Sequence, residues 1–422
     1  MHILMIHHRL PYPLHSGMDK VRFHLIRSLM TRHRVTLIAP ILPRNSREDI
    51  RAVEQICSRL IAVEIPARTL AFRSTRRFAW RQWWRLVALA RPMHTGREYF
   101  REVEGAIRRA CREDHYDAIQ LSSNVVSCYA ERIRGSGKLI LGPMDDGIGA
   151  ARTNGAVAAG WKPRLGWKLR LRAVRHYQPR LCRRCDTVLF HSPEDREGFC
   201  TAAGGGIRAL VLPTAVEADA AEGFDFQTSC RGQQPGRIVF VGGLGSAFNV
   251  DAVLYFYREL FPGIAAQVPD AHFYVVGQSP PSAVRGLQRD PRVTVTGAVP
   301  DVRPYIERAA VYIAPVRAGT GFKTKVVEAL ALGKAIVALP GGVQGLWELG
   351  RDAIRVVRDA DGFQREVIDL LRNEAKRHEL GRNARRLYEQ VYAFDAVTPK
   401  VLDVYEEIFD SPEVSASTYE FC

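Results

Sequence analysis

The chain has 422 residues, of which 46% are hydrophobic and 25% charged. That is a globular composition, long enough for two domains and unlike a disordered or fibrous protein. The formal net charge of +15 is one-sided: residues 1–200 hold 36 Lys and Arg against 18 Asp and Glu, while residues 201–422 hold 24 against 27. No run approaches the roughly 18 uninterrupted apolar residues of a membrane span. The opening MHILMIHHRL is too short and His-rich for a secretory signal, so neither an integral membrane protein nor a Sec-exported one is expected.

In chain order, the first elements read strand, loop, helix, strand. Residues 2–7 are an apolar run, residues 10–17 a loop with two prolines and a glycine, and Asp19 can cap a helix reaching Met30. Residues 34–39 then alternate as a second strand that ends at Pro40. Further strands are expected at 118–121, 138–141, 187–191 and 209–212, and their alternation with helices predicts a parallel α/β sheet. Residues 217–236 combine weak periodicity with a closing Pro-Gly and read as a linker.

After the linker the pattern restarts: strand 237–241, helix 249–260, strands 272–276 and 293–296, helix 301–309, strand 311–314, a glycine loop, helix 325–332, strand 335–339 and two more helices. The expected organisation is a first domain over 1–216, a linker over 217–236, a second domain over 237–394, and a last helix and tail over 395–422. Ligands of such open sheets bind at the carboxyl ends of the strands.

The stretch PVRAGTGFKTKVVEALALG, residues 315–333, carries the most chemistry. Gly319 and Gly321 let the backbone turn sharply and come close to a ligand. Lys323 and Lys325 stand at the start of the following helix, where N–H groups and the dipole already favour an anion, so two ammonium groups there suit a diphosphate. Glu328, one turn on, can accept both hydroxyls of a ribose. A helix-start glutamate paired with lysine for stability is the plain alternative.

With these residues in place, the run G-x-G-x-K-x-K-x-x-E-A-L-A-x-G-K-A-I-V resembles the donor segment of retaining GT-B glycosyltransferases of the family-4 type, in the subgroup associated with exopolysaccharide and envelope-glycan assembly. VFVGGLGSAFNVDAVLYF (Gly242, Gly243, Asn249, Asp251), VTVTGAVPDVRPYI (Gly297, Asp301) and GGVQGLWELG (Gly342, Gly345) extend the likeness through the second domain. In the first domain PYPLHSG and Ser192-Pro-Glu-Asp are looser matches. The resemblance implies two Rossmann-like domains facing each other across a cleft, with the helix and tail over 395–422 returning to the first domain. It also implies transfer of a hexose from a nucleotide-sugar donor to a glycan or polyprenyl-linked acceptor, with retention, no metal and no resident cofactor, in the cytoplasm or on the inner face of the plasma membrane.

Residue by residue, the resemblance puts the donor diphosphate on Lys323 and Lys325, the ribose on Glu328, and the base beside the turn from Val299 to Asp301. Gly319, Thr320, Gly321, Phe322 and Gly243 line the donor. Gly17 lets the first-domain loop approach the donor phosphate or acceptor. The implied chemistry is front-side displacement, in which the leaving diphosphate oxygen takes the acceptor proton. Two departures stand out. Thr320 occupies the position of a sugar-contacting glutamate, and LGPMDDGIG offers Asp145 and Asp146 where a histidine often sits. One of these aspartates, with Asp146 taken as the reacting-centre residue, orients the acceptor or anomeric carbon; a strand-end turn is the alternative. His15 is a candidate acceptor contact, or a solvated loop histidine.

Other signals have simpler readings. Asp359-Ala-Asp361 reads as a helix cap rather than a metal-diphosphate motif. Eight scattered cysteines suggest free thiols in a reducing compartment, and Cys182 and Cys185 read as helix neighbours. The segment RSTRRFAWRQWWRLVALAR repeats Arg77, Arg81 and Arg85 every four residues, with Trp80, Trp83, Trp84 and Val87 on an adjoining face. It reads as a surface for anionic lipid, against the alternative that the tryptophans pack inward. Two other functions compete: a sugar-nucleotide epimerase on the same fold, for which no acid–base set is evident, and a nucleic-acid-binding protein using the basic half, for which no reading module is evident.

Overall fold

The computed structural model describes residues 1–411 except 15–16, 44, 74, 90, 93–98, 132, 134–136, 158–159, 217–225, 227–231, 318–320 and 351, with backbone alone at 72, 76, 89, 156–157 and 162. The chain divides into two compact units. Residues 1–215 and 397–422 make the first, residues 216–396 the second. Both are Rossmann-like α/β units built on a parallel sheet.

The first sheet holds β1 (His2–Ile6), β2 (Arg34–Ile41), β3 (Arg59–Glu64), β4 (Ala118–Leu121), β5 (Lys138–Met144), β6 (Thr187–Phe190) and β7 (Ala209–Val211). Their spatial order is β3-β2-β1-β4-β5-β6-β7, with every pair parallel. β1 is buried along its whole length, as a strand covered by helices on both faces must be, which is why it reads as an unbroken apolar run. The order reverses between β1 and β4, so the crevice for polar groups lies at their carboxyl ends. β3 was not expected. It is an edge strand with one buried residue, Val63, and its half-exposed pattern gives little hydrophobic signal.

The helix Phe394–Asp410 starts in the second unit and from Val397 onward belongs to the first. There Thr398 shares a hydroxyl hydrogen bond with Ser28 (2.8 Å), Glu406 pairs with Arg32 (2.8 Å), and the buried Tyr405 hydroxyl meets the Gln120 side chain.

The second sheet holds β8 (Gln234–Val241), β9 (His272–Val276), β10 (Val293–Gly297), β11 (Ala309–Ala314), β12 (Ala335–Ala338) and β13 (Arg355–Val356), in the order β10-β9-β8-β11-β12-β13. Phe256, Phe261, Phe273 and Phe363 cluster on one face, with Phe256 and Phe273 centroids 4.6 Å apart. The sheet reverses between β8 and β11, which places the end of β8, at Gly242 and Gly243, beside the loop that leaves β11. Most of the expected linker, 217–225 and 227–231, lies outside the described residues; its last three residues open β8, which starts at Gln234 rather than at 237. No described helix is long and apolar enough to cross a membrane.

Candidate functional site

In the second unit the site is built where β11 gives way to the helix Thr324–Ala331. Apolar Val326, Val327, Leu330 and Ala331 bury one face of that helix, which fixes the direction in which its first turn looks. Lys323 is the residue before the helix; its Nζ donates to the Gly321 carbonyl at 2.9 Å. Gly321 has φ +80°, a left-handed conformation that explains the glycine. Lys325 Nζ lies 2.8 Å from Glu328 Oε2, and Glu328 is 3% exposed against the buried Tyr312 of β11. Burial and the nearby Glu328 carboxylate push the Tyr312 hydroxyl well above its usual range.

A second loop presses on the first from behind. A Cβ on Gly345 would stand 2.5 Å from the Gly321 carbonyl oxygen, and one on Gly342 would stand 2.2 Å from that of Ala314. Phe322 and Trp347 both pack on Tyr392, at 6.3 and 5.6 Å between centroids. The loop that holds Lys323 is thus propped by residues from 342 to 392.

Across the sheet reversal, Gly243 has open space where a side chain would be, and Asn249 Nδ2 holds its carbonyl at 2.9 Å. Asp301 accepts from the Arg303 backbone N–H at 2.9 Å and pairs with the Arg303 guanidinium; it holds the start of the short helix Arg303–Glu307. Val299 is half-buried against the same core. Gly319 and Thr320 lie outside the described residues. A cation that the sequence reading passed over is Arg317, in the loop after β11. It forms an ion pair with Asp251 (2.5 Å) and lies over the Tyr255 ring (4.7 Å), and its place three residues after a buried strand was the available signal.

In the first unit the strand ends carry a buried polar group of their own. Asp146 follows β5 and is 8% exposed. Its carboxylate accepts from the Ile148 N–H at 2.9 Å, so it opens the helix Gly147–Val157 as a cap. Asp145 is the more exposed of the two. Ser192 caps the helix Pro193–Ala203 by accepting from the Asp195 N–H, and Asp195 in turn accepts from the Asp146 N–H at 3.3 Å. The Ser-x-x-Asp turn therefore ties the ends of β5 and β6 together. Gly17 begins the helix Gly17–Met30, where Asp19 receives two hydrogen bonds from Arg9 at 3.0 Å. His15 lies outside the described residues. Asp359 caps its helix through the Gly362 N–H at 2.7 Å. Among the described residues, no group of three or more His, Cys, Asp or Glu is placed to hold a metal ion.

Burial sets the charge of this group. It holds His191 down at about 4 and His7 well below the usual histidine value, so both are neutral. Unfolded, each titrates near 6.5. Below that pH the unfolded chain takes up protons that the folded chain refuses, and stability falls by up to about 1.4 kcal/mol per pH unit for each histidine. Asp146 and Asp195 act with the opposite sign: burial raises both, so their folded forms gain protons first and recover some stability at lower pH. The melting temperature is expected to fall from pH 6.5 toward pH 4. His191→Gln, which can keep the bond to Thr214 (3.1 Å), makes the decline shallower; equal slopes in thermal melts would contradict this.

Residues 235–373 match the family model described as "Glycosyl transferases group 1", so the second unit carries a domain of that kind. No curated protein matches the sequence. Among solved structures, sucrose-phosphate synthase from Thermosynechococcus elongatus is similar at a TM-score of 0.65 and 17% identity, over 97% of this chain and 99% of that one. HepE from Anabaena, in complex with UDP and glucose, is similar at 0.59 and 14%, over 96% and 99%. A variant of TarM from S. aureus, in complex with fondaparinux, alpha-GlcNAc-glycerol and UDP, is similar at 0.65 and 9%, over 97% and 100%. At such identities the likeness establishes the fold, which is that of GT-B glycosyltransferases.

Proposed function

We propose that this chain of GT-B fold is a glycosyltransferase that moves a hexose from a nucleotide-diphosphate sugar to a glycan or polyprenyl-linked acceptor, with retention and in the manner of family 4. The product is cell-surface polysaccharide, and the place is the inner face of the plasma membrane. The observation that carries the reading is the grouping of Lys323, Lys325 and Glu328 at one helix start, beside the sheet reversal where Gly243 leaves room for a ligand. The UDP complexes of HepE and TarM support a nucleotide donor.

On this reading Lys323 and Lys325 stabilise the negative charge that grows on the leaving diphosphate. Glu328, held by Lys325, receives the ribose hydroxyls. The departing oxygen takes the acceptor proton, so the chain supplies alignment and charge rather than a nucleophile. Asp145, half-buried at the end of β5, orients the acceptor or the anomeric carbon, while Asp146 fixes the turn that carries it. Val299 and Asp301 flank the base. No resident cofactor takes part, and the donor is a substrate.

The test is a panel of nucleotide sugars scored by nucleotide release with the purified chain. One variant reads the donor pocket without disturbing the fold. Gly243 has no atom within 4 Å of an added Cβ, so Gly243→Ala keeps the parent melting temperature and raises the donor KM about tenfold or more, since a methyl group would occupy the space of the ligand. An unchanged KM would remove Gly243 from the site, and failure of every donor to yield nucleotide would remove the reading.

A further inference from the structure

The helix Arg76–Leu89 of the first unit places its apolar residues on the wrong side for a core. Gln82 and Leu86 are buried, and Phe78 and Arg85 are half-buried, so one stripe faces the protein. Trp80, Trp83, Trp84 and Val87 are 65%, 52%, 49% and 41% exposed. At this spacing they form one outward face two turns long. Arg77 and Arg81 are exposed along its edge, and among the described residues neither has an ion-pair partner. Arg85 departs from the stripe expected of the three arginines: it turns toward Arg91, Tyr177 and Glu131, and burial lowers its pKa.

The helix packs on a second one, Trp161–Cys182, that also contains no acidic residue. Arg164, Lys168, Arg172 and Arg175 are exposed on it, as are Trp161 (71%) and Leu165 (50%). Three neighbouring exposed tryptophans are costly in water and mark an interaction surface. Indole rings flanked by arginines are suited to the headgroup layer of a membrane, where the ring sits among acyl chains and the guanidinium meets phosphate.

We infer that the outward face of the helix Arg76–Leu89 docks the protein on an anionic lipid surface, with Trp80, Trp83, Trp84 and Val87 inserted and Arg77 and Arg81 on lipid phosphates. Charge complementarity selects this occupant. A second copy of the chain would bring two strongly basic, acid-free faces together in a symmetric contact, and a convex helix ridge lacks the groove in which single-stranded nucleic acid stacks its bases. The inference deepens the membrane-side part of the proposed function, and its test involves no sugar transfer, so the two stand or fall separately.

The experiment is sedimentation of the full chain with vesicles of phosphatidylcholine alone or with 30% phosphatidylglycerol. Binding to the anionic vesicles is expected, weak on the neutral ones and reduced by 0.5 M salt. Trp80→Ala/Trp84→Ala and, separately, Arg77→Glu/Arg81→Glu are each expected to lower the partition coefficient at least tenfold, with melting temperatures near the parent value because all four side chains are exposed. Arg85→Gln, at a position turned to the protein, changes it little. The inference is overturned if the parent does not sediment or either double variant sediments like the parent. It is equally overturned if the face proves to mediate a dimer that Trp80→Ala/Trp84→Ala dissociates, or if the parent binds single-stranded RNA and not vesicles.

Discussion

Lys325→Ala is expected to reduce kcat/KM by about 10²–10³-fold, the loss usual for removing one group that stabilises developing negative charge. It is also expected to cost stability. The Glu328 side chain is 4% exposed and its partner ammonium is 2.8 Å away, so the alanine leaves a buried carboxylate without its cation, at about 3 kcal/mol. These two effects separate in a double variant. Lys325→Ala/Glu328→Gln replaces the stranded charge with a neutral amide and recovers most of the melting temperature, while turnover stays low. Lys325→Arg keeps charge and stability and retains partial activity, because a planar guanidinium does not reproduce a compact ammonium. If the double variant recovered turnover together with stability, the pair would be a fold-holding ion pair and no part of a donor site.

Gly345→Ala is expected to damage the same site from behind. Its φ of +89° costs an alanine about 1–2 kcal/mol, and the new Cβ would stand 2.5 Å from the Gly321 carbonyl oxygen. That oxygen accepts the Lys323 ammonium at 2.9 Å, so a shift of the Gly321 carbonyl moves the lysine. The donor KM should rise about tenfold, since an error near 1 Å in a positioned group is enough for a loss of this order or larger. Gly204→Ala is the comparison. Gly204 also has positive φ, +78°, but no atom within 4 Å of an added Cβ. It should lose similar stability through the backbone alone and leave KM unchanged. Equal KM values in Gly345→Ala and the parent would detach the 345 loop from donor binding.

The architecture was legible wherever burial on both faces makes a strand a plain apolar run. Residues 118–121 and 272–276 were read to the residue. β3 was missed because an edge strand with one buried side chain carries no such run. The helix expected over 301–309 shrinks to Arg303–Glu307, since Asp301 lies before it with its carboxylate on the Arg303 N–H and Ala309 already opens β11. The return of the final helix to the first unit is legible only through the family resemblance, because the contacts that hold it, such as Thr398 on Ser28, join residues more than 100 apart in sequence and no local pattern records them.

The site was legible in part. Lys323, Lys325 and Glu328 fall within six residues of one helix start, so spacing alone groups them. The buried partner of Glu328, Tyr312, and the props at Gly342, Gly345 and Tyr392 come from other elements and appear only when the chain is folded. The paired aspartates show the limit of reading type without burial: Asp146 is the buried one, whose carboxylate accepts the Ile148 N–H, and Asp145 is the less buried of the two. The arginine repeat shows the same limit, since a spacing of four places Arg85 with Arg77 and Arg81, and partial burial in the fold sets it apart from them.

The most direct measurement is a crystal structure of the chain with a bound nucleoside diphosphate. Phosphate oxygens are expected within hydrogen-bond distance of Lys323 and Lys325 Nζ, and the ribose hydroxyls on Glu328, with the backbone of Gly243 against the ligand. A nucleotide resting elsewhere in the chain, with the Lys325–Glu328 pair unchanged and untouched, would contradict it.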